Sequence, residues 1–353
     1  MANQKSNERP AVKNSGIIRK KKKIKSKRKK TTIIVIVCVV IAFVLALIGL
    51  LVYLANLLNP NYNNVDIDNS NNNGKTVFYN GHEYRLNENI IACPFIGYDR
   101  NDIGSAPNGA NGQADSIFVL CIDKETGKTS VIGVPRDAYI DVSKFVGSSY
   151  KGVERMQACM AFSYGTDATS GAEHTTDMLS QLFYGMPMDY YVAMSLDGVE
   201  ALVNELGGIT LVAKSTIPGT DIVKGQETTL FGSKTLKYVR YRDIYTDKSA
   251  LERQQRDIDF LQHFINEVMR QAKNQVGFLL DLYNVAKDCI VSNVGLDTVS
   301  ALALKYMSAS NPSINFTTLK VGDVQVIDGY EVNYLDKTNL YETTLNVFYN
   351  KVS

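Results

Sequence analysis

The sequence predicts an α/β protein, a three-layer α/β/α sandwich around a central mixed β-sheet, preceded by one N-terminal transmembrane helix. Three observations carry this reading. From about residue 89 onward, β-rich runs alternate with stretches of helical periodicity. The formal charge of +2 is split sharply: residues 1–30 hold 13 Lys or Arg against the single acid Glu8, leaving about −10 for the remainder. Between the two parts, Thr31 to Leu58 carries no charged residue at all.

The elements follow in chain order. The apolar run from Ile33 to Leu54 is long enough for a bilayer core of ~30 Å, which takes about 20 residues of helix. The Arg19–Lys30 cluster on its N-terminal side predicts a basic cytoplasmic tail over residues 1–30, a span over 31–58 and everything later outside the cell membrane. The long run and the lack of a small-residue cleavage site favour an anchor over a cleaved signal peptide. Beside such a span, the basic cluster is explained by topology and by contact with anionic membrane lipid, so no nucleic acid partner is expected. Residues 59–75 are Asn-rich and aperiodic, as in a flexible stalk. Ordered structure should begin near Thr76 and extend over 76–353.

Within that domain, Asn89–Ile96 is an apolar strand ending at Gly97. Ser116–Ile122 and Thr129–Val134 are strands joined by a hairpin-length turn that contains Gly127. Arg155–Phe183 reads as helical with an interruption at Gly165–Gly171. Tyr190–Met194 reads as a strand and Leu196–Leu206 as a helix, which Gly207-Gly208 should end with a left-handed cap before the strand Ile209–Ala213. From Ala250 onward helices dominate, with a late strand at Asn315–Val321. Cys93, Cys121, Cys159 and Cys289 have neither zinc spacing nor the density of a disulfide scaffold. The motifs GxSxG, HExxH and the P-loop are absent, and His82, His174 and His263 are scattered.

Candidate chemistry gathers at one sheet end. Asp99 follows one strand and Asp115 opens the next, so antiparallel neighbours would bring both carboxylates together. A regular hairpin centred on Thr126 sets Arg136 opposite Ser116 and delivers Pro135-Arg136-Asp137 to the same end. Two carboxylates and an arginine suit a divalent metal and a phosphate, though an ordinary Asp–Arg ion pair would use the same residues. If Tyr238–Asp243 is extended, Arg240 and Arg242 share a face; they would flank an anion or simply be solvated. Further on, Leu251, Ile258, Leu261, Ile265 and Val268 form a buried helical stripe on which Gln254 also falls, flanked by Arg253 and Gln255. An inward amide needs a partner, whether ligand or backbone.

This series of motifs resembles the LytR-CpsA-Psr family. The resemblance rests on Gly97-Tyr98-Asp99, Gln113-Ala114-Asp115-Ser116, Pro135–Asp137, Arg155 in ERMQACMAFSYG, Leu206–Ile209, Gly232–Arg242 and Arg253–Gln255. It covers about 89–261 and leaves 262–353 as a helical C-terminal part. The resemblance implies a cell-wall glycopolymer phosphotransferase. Its donor is a glycopolymer, such as a teichoic acid or capsule, on a polyprenyl-pyrophosphate carrier whose lipid lies in an apolar cavity; its acceptor is a peptidoglycan sugar hydroxyl. The resemblance further implies Mg2+, with Mn2+ as the alternative, on Asp99 and Asp115. Arg136, Arg240, Arg242, Arg155, Gln254 and Gln255 would be catalytic, and Asp137, Arg253 and Gln113 would contact substrate. Two positions depart from the pattern, Gln113 and Ala250 standing where arginine is common. A pyrophosphatase using water as acceptor and a non-catalytic lipid- or polymer-binding regulator remain as alternatives.

Overall fold

The structure, a computed structural model, describes residues 75–99, 112–243, 249–274, 278–287, 289–295 and 314–352. The expected tail, span and stalk lie outside these. Among the described residues, no helix is long and apolar enough to cross a membrane.

The centre is a six-stranded mixed sheet of β3 (Ile90–Tyr98), β4 (Ala114–Asp123), β5 (Thr129–Val134), β8 (Val192–Ser195), β11 (Ile290–Ser292) and β12 (Ile314–Thr318), in the order β11-β8-β3-β4-β5-β12. β3, β4 and β5 run antiparallel to their neighbours in that trio, while β8 joins β3 and β12 joins β5 in parallel. β5, Thr-Ser-Val-Ile-Gly-Val, is buried at every residue, as a strand covered on both faces must be. Pro94 is tolerated inside β3 because pairing with β8 starts only at Phe95.

Strand alternation separates the two faces. Ile117 and Val119 join a core with α1 (Met160–Ser163), α2 (Ala168–Leu182) and α7 (Lys337–Phe348). Ser116 and Phe118 point the other way, toward α5 (Ser249–Asn274). A second core unites α3 (Leu196–Glu205), the hairpin β9 (Ile209–Val212) and β10 (Glu227–Leu230), α4 (Ser233–Arg240), α5 and α6 (Phe278–Ala286). The expected cap after α3 is present as a Schellman arrangement. Gly207 N–H donates to Asn204 O (2.9 Å) and Gly208 N–H to Val203 O (2.9 Å), with φ of 75° and 105°. A Cβ at Gly207 would meet nothing within 4 Å, so Gly207→Ala tests backbone conformation alone. It is expected to cost ~1 kcal/mol, read as a lower midpoint in urea with an unchanged slope.

Four expectations are corrected. Arg155 does not lead a helix; it lies in β7 (Ser149–Gln157), which pairs with β6 (Tyr139–Val146). The run before Arg242 is not extended: α4 continues to Arg240, driven by Tyr238 and Thr235 at helical spacing filling the second core. The C-terminal part is mixed rather than helical: the expected late strand is β12, and to it are added the hairpin β13 (Val321–Ile327) and β14 (Tyr330–Leu335), and β15 (Tyr349–Lys351). Finally, the β4–β5 register pairs Ile117 with Val134, one residue away from the regular-hairpin expectation. Before β3, the hairpin β1 (Thr76–Tyr79) and β2 (His82–Leu86) forms a small sheet with β15.

Candidate active site

The site forms where β3 ends and β4 begins. The β3–β4 register shifts between Gly97 and Tyr98, so Gly97 faces Ser116 and Tyr98 faces Ala114, leaving Asp115 as the extra residue of a bulge. A bulge bends the strand and re-aims its side chain. Gly97 permits this approach, since a Cβ there would lie 3.3 Å from Ser116 Cβ. The one-residue shift between β4 and β5 then sets Arg136 against Asp115 rather than Ser116. Arg136 Nη1 donates to Asp115 Oδ1 in a short contact, and Arg253 Nη1 reaches Asp115 Oδ2 at 3.3 Å. One carboxylate thus sits between two guanidiniums.

Arg136 also donates to Gln113 Oε1 and lies 3.2 Å from Cys159 Sγ and 3.2 Å from Asp137 Oδ1. Gln113 therefore supplies an acceptor where an arginine would supply donors. Burial opposes the charge of Arg136, but Cys159, Asp115 and Asp137 more than offset it and hold its pKa above the ordinary value. Burial pushes the Cys159 thiol up to about 12 despite Arg136, so it is protonated and inert near neutral pH. Asp137 is 1% exposed and acts as an anchor: it takes Gln157 Nε2 at 2.9 Å and faces Arg242 Nη2 at 3.9 Å. Arg242 also faces Glu331 at 4.0 Å, from β14. Asp99, exposed, accepts from the backbone N–H of Gln113 at 2.8 Å.

α5 contributes from the opposite side. Gln254 is 9% exposed, and neither its amide oxygen nor its nitrogen has a hydrogen-bond partner. The backbone alternative raised by the sequence is therefore not realised. Gln254 lines a narrow cavity with Asp115, Arg136, Arg253 and Asp257, together with Phe118 and the adjoining strand residues Ile117 and Val134. Asp257 accepts from Ser116 Oγ at 3.0 Å through Oδ2, while its Oδ1 is unpartnered. Desolvation raises its pKa from 3.8 to about 6 against the pull of Arg253 and Arg256. Below about pH 4 the carboxyl is largely protonated folded or unfolded, so burial carries little penalty; between about pH 4 and 6 the unfolded chain ionises while the folded carboxyl stays protonated, stability falls across that window, and above 6 the penalty is constant. Asp257→Asn is expected to stabilise by ~3 kcal/mol at pH 7 and by nothing near pH 4, checked by denaturant titration at both.

The other expected site residues fall outside this cluster. Arg155 is exposed and lies on Tyr139, its Nη2 3.2 Å from that residue's carbonyl and its guanidinium 5.7 Å from the ring centroid. Gln255 is exposed on a different face of α5, and Arg240 is exposed at the end of α4. Sequence reasoning missed Asp257, Gln157 and Glu331. It also missed Arg256, which is 2% exposed: its Nη2 donates to Tyr241 O, its Nη1 meets Ser215 Oγ at 3.3 Å, and it stacks over Tyr238 and Tyr241.

Asp99, Asp115 and Gln113 Oε1 are oxygen donors of the kind Mg2+ takes, but Asp115 and Gln113 are engaged by Arg136 and Arg253, and among the described residues no group of three or more His, Cys, Asp or Glu side chains comes together to hold a metal. The guanidiniums beside them suit phosphate oxygens. The chain belongs to the LytR_cpsA_psr family, whose model matches residues 56–347. It is 24% identical over 260 residues to the polyisoprenyl-teichoic acid–peptidoglycan teichoic acid transferase TagU of Bacillus licheniformis, covering 73% of this chain and 77% of that protein. TagU of Bacillus subtilis is 25% identical over 216 residues, 61% of this chain and 63% of its own. Among solved structures, protein gbs0355 of Streptococcus agalactiae superposes with a TM-score of 0.61 at 20% identity, over 73% of this chain and 86% of that one. TagT bound to LI-WTA superposes at 0.55 and 20% identity, over 73% and 89%.

Proposed function

We propose that this chain is a membrane-anchored phosphotransferase that moves a glycopolymer phosphate from a polyprenyl-pyrophosphate carrier to a peptidoglycan sugar hydroxyl. The observation that carries the reading is the Asp115 carboxylate held between Arg136 and Arg253, beside the buried, unpartnered amide of Gln254. Family membership and the teichoic acid transferases among its relatives support it. Residues 31–58 would anchor the chain with 1–30 in the cytoplasm, and 59–75 would tether the domain outside.

In this reading Asp99, Asp115 and Gln113 would hold Mg2+, which neutralises phosphate charge when bound. Arg136 and Arg253 donate to the non-bridging oxygens, and Arg242, held near Asp137 and Glu331, adds positive potential from the opposite rim. Gln254 donates its N–H to the same group and so satisfies its amide. The acceptor oxygen attacks the phosphorus that bears the glycopolymer. The bond from that phosphorus to the bridging oxygen breaks, and polyprenyl phosphate leaves with the electron pair, the hydroxyl proton passing to solvent. Phe118, on the α5 face of the sheet, adds apolar surface beside the polar groups.

The test incubates the full chain in detergent with polyprenyl-pyrophosphate-linked oligosaccharide, Mg2+ and peptidoglycan fragments, and follows products by mass spectrometry. Polymer–wall adduct that disappears in Asp115→Ala and under chelation is the expected result. Polyprenyl phosphate without adduct would replace this reading with hydrolysis.

A further inference from the structure

α5 turns two different faces to two different spaces. Gln254 and Asp257 look into the narrow cavity behind Asp115, whereas Gln255 and Gln262 look about 100° round the helix into a separate cleft. That cleft measures about 450 Å3, within the range of small-ligand sites. Its far wall comes from the segment joining β9 to β10, through Lys214, Ser215 and Lys224. Glu252 and Asp259 complete the near wall, with Lys214 Nζ 3.2 Å from Asp259 Oδ1. The two lysines balance the two acids, so the cleft carries hydrogen-bonding capacity in both senses without net charge. Its one aliphatic surface is Ile258.

Such a lining discriminates among ligands. A lipid tail would find too little apolar surface, and a polyanion would meet two carboxylates. A neutral chain of hydroxyl and amide groups matches it, which is the chemistry of an N-acetylated glycan. Position adds a second argument. Ile258 and Gln254 both lie over Gly133 of β5, where an added Cβ would meet Ile258 Cδ1 at 3.1 Å and Gln254 Nε2 at 3.3 Å. The cleft and the cavity are therefore separated by one pair of side chains. Below them Arg256 ties Ser215 of the cleft rim to Tyr241, the residue before Arg242, so rim and arginine segment are braced by one buried group.

We propose that this cleft binds the glycan strand that accepts the transferred phosphate, with Gln262 and Lys224 as its opposing hydrogen-bonding walls. The inference rests on the transfer reading above and assigns that reaction's second substrate to a place. It also gives Gln255 a role facing the acceptor, away from Asp115.

The experiment uses the full chain in detergent and muramidase-released disaccharide-peptide fragments of peptidoglycan as the probe. Saturation-transfer NMR reports binding without turnover, and steady-state kinetics report the KM for fragment and for donor. In the double variant Gln262→Ala with Lys224→Ala, sugar-proton saturation should fall and the fragment KM should rise about tenfold while the donor KM holds. Unchanged far-UV circular dichroism shows that the double variant keeps the fold. Saturation and fragment KM equal to wild type would overturn the assignment even if transfer proceeds. A donor KM rising in parallel would also overturn it, by returning these residues to the donor site. Fragment binding that is lost in the variant, in a chain that transfers nothing, would sustain the cleft and remove the transfer reading.

Discussion

Arg136→Ala is expected to lower the transfer rate by about a thousandfold, the scale on which a donor to a developing phosphoryl charge acts. Arg136 is unusual in how many groups depend on it. One guanidinium meets Asp115, Gln113, Cys159 and Asp137, so its removal both deletes a phosphate donor and releases the carboxylate of Asp115. A stability loss accompanies it, because Asp137 is almost fully buried and would be left with Gln157 and the more distant Arg242. The two effects separate in Arg136→Lys, which restores the charge near Asp137 but not the planar fork. That variant should melt close to wild type and still transfer at least tenfold more slowly. Equal rates for lysine and arginine at saturating donor would show that only a point charge is needed here.

The second large effect concerns Arg256. It is the largest fully buried side chain in the described residues, and no carboxylate lies within ion-pair distance of it there. Burial lowers its pKa, with Asp257 and the two tyrosines pulling the other way. Arg256→Ala would forfeit the bonds to Tyr241 and Ser215, empty the space over both tyrosine rings and leave Asp257 with less neutralising charge. The expected cost is ~4 kcal/mol, or roughly 10 °C in melting temperature. Thermal melts at pH 7 and near pH 4 check the cause. If the charge of Asp257 contributes, the loss is smaller at the lower pH, where that carboxyl is neutral. An equal loss at both would assign the whole effect to packing.

Where local chemistry dominated, the sequence was legible. β5 spans Thr129–Val134 as its β-branched run implies, and Gly207-Gly208 caps α3 as the paired glycines imply. The approach of Arg136 to Asp115 is likewise readable from hairpin pairing, whereas Arg253 only flanks the helical stripe and its contact with Asp115 comes from tertiary packing. The register error came from the centre of the turn: Asp123 N–H closes on Lys128 O at 2.9 Å, so the hairpin centres between Glu125 and Thr126 rather than on Thr126. Other misses had signals that went unused. Asn80-Gly81 and Asp328-Gly329 both adopt positive φ at each residue, the signature of tight hairpins, and they join β1 to β2 and β13 to β14. Arg155 and Gln157 share strand parity, but only tertiary packing decides that Gln157 meets Asp137 while Arg155 rests on Tyr139. Asp257 lies one helical step from the apolar stripe, so its inward aim depends on the close approach of α5 at Gly133. Arg240 and Arg242 were paired on an extended segment, whereas burial of Tyr238 in the second core wins α4 for the helix.

The hairpin β13–β14 places Glu331 beside Arg242 and seats Asn333 N–H on the carbonyl of Asp137 at 2.8 Å. Beyond it, β15 closes onto β2 and α7 fills the first core. During synthesis these segments emerge long after the strands they complete, so the arginine cluster stays open-walled until nearly the whole chain is available. Contacts this distant in sequence make for slow closure. A ribosome-bound chain therefore carries β3, β4 and β5 well before it carries the segments that wall in Arg242 and Asp137.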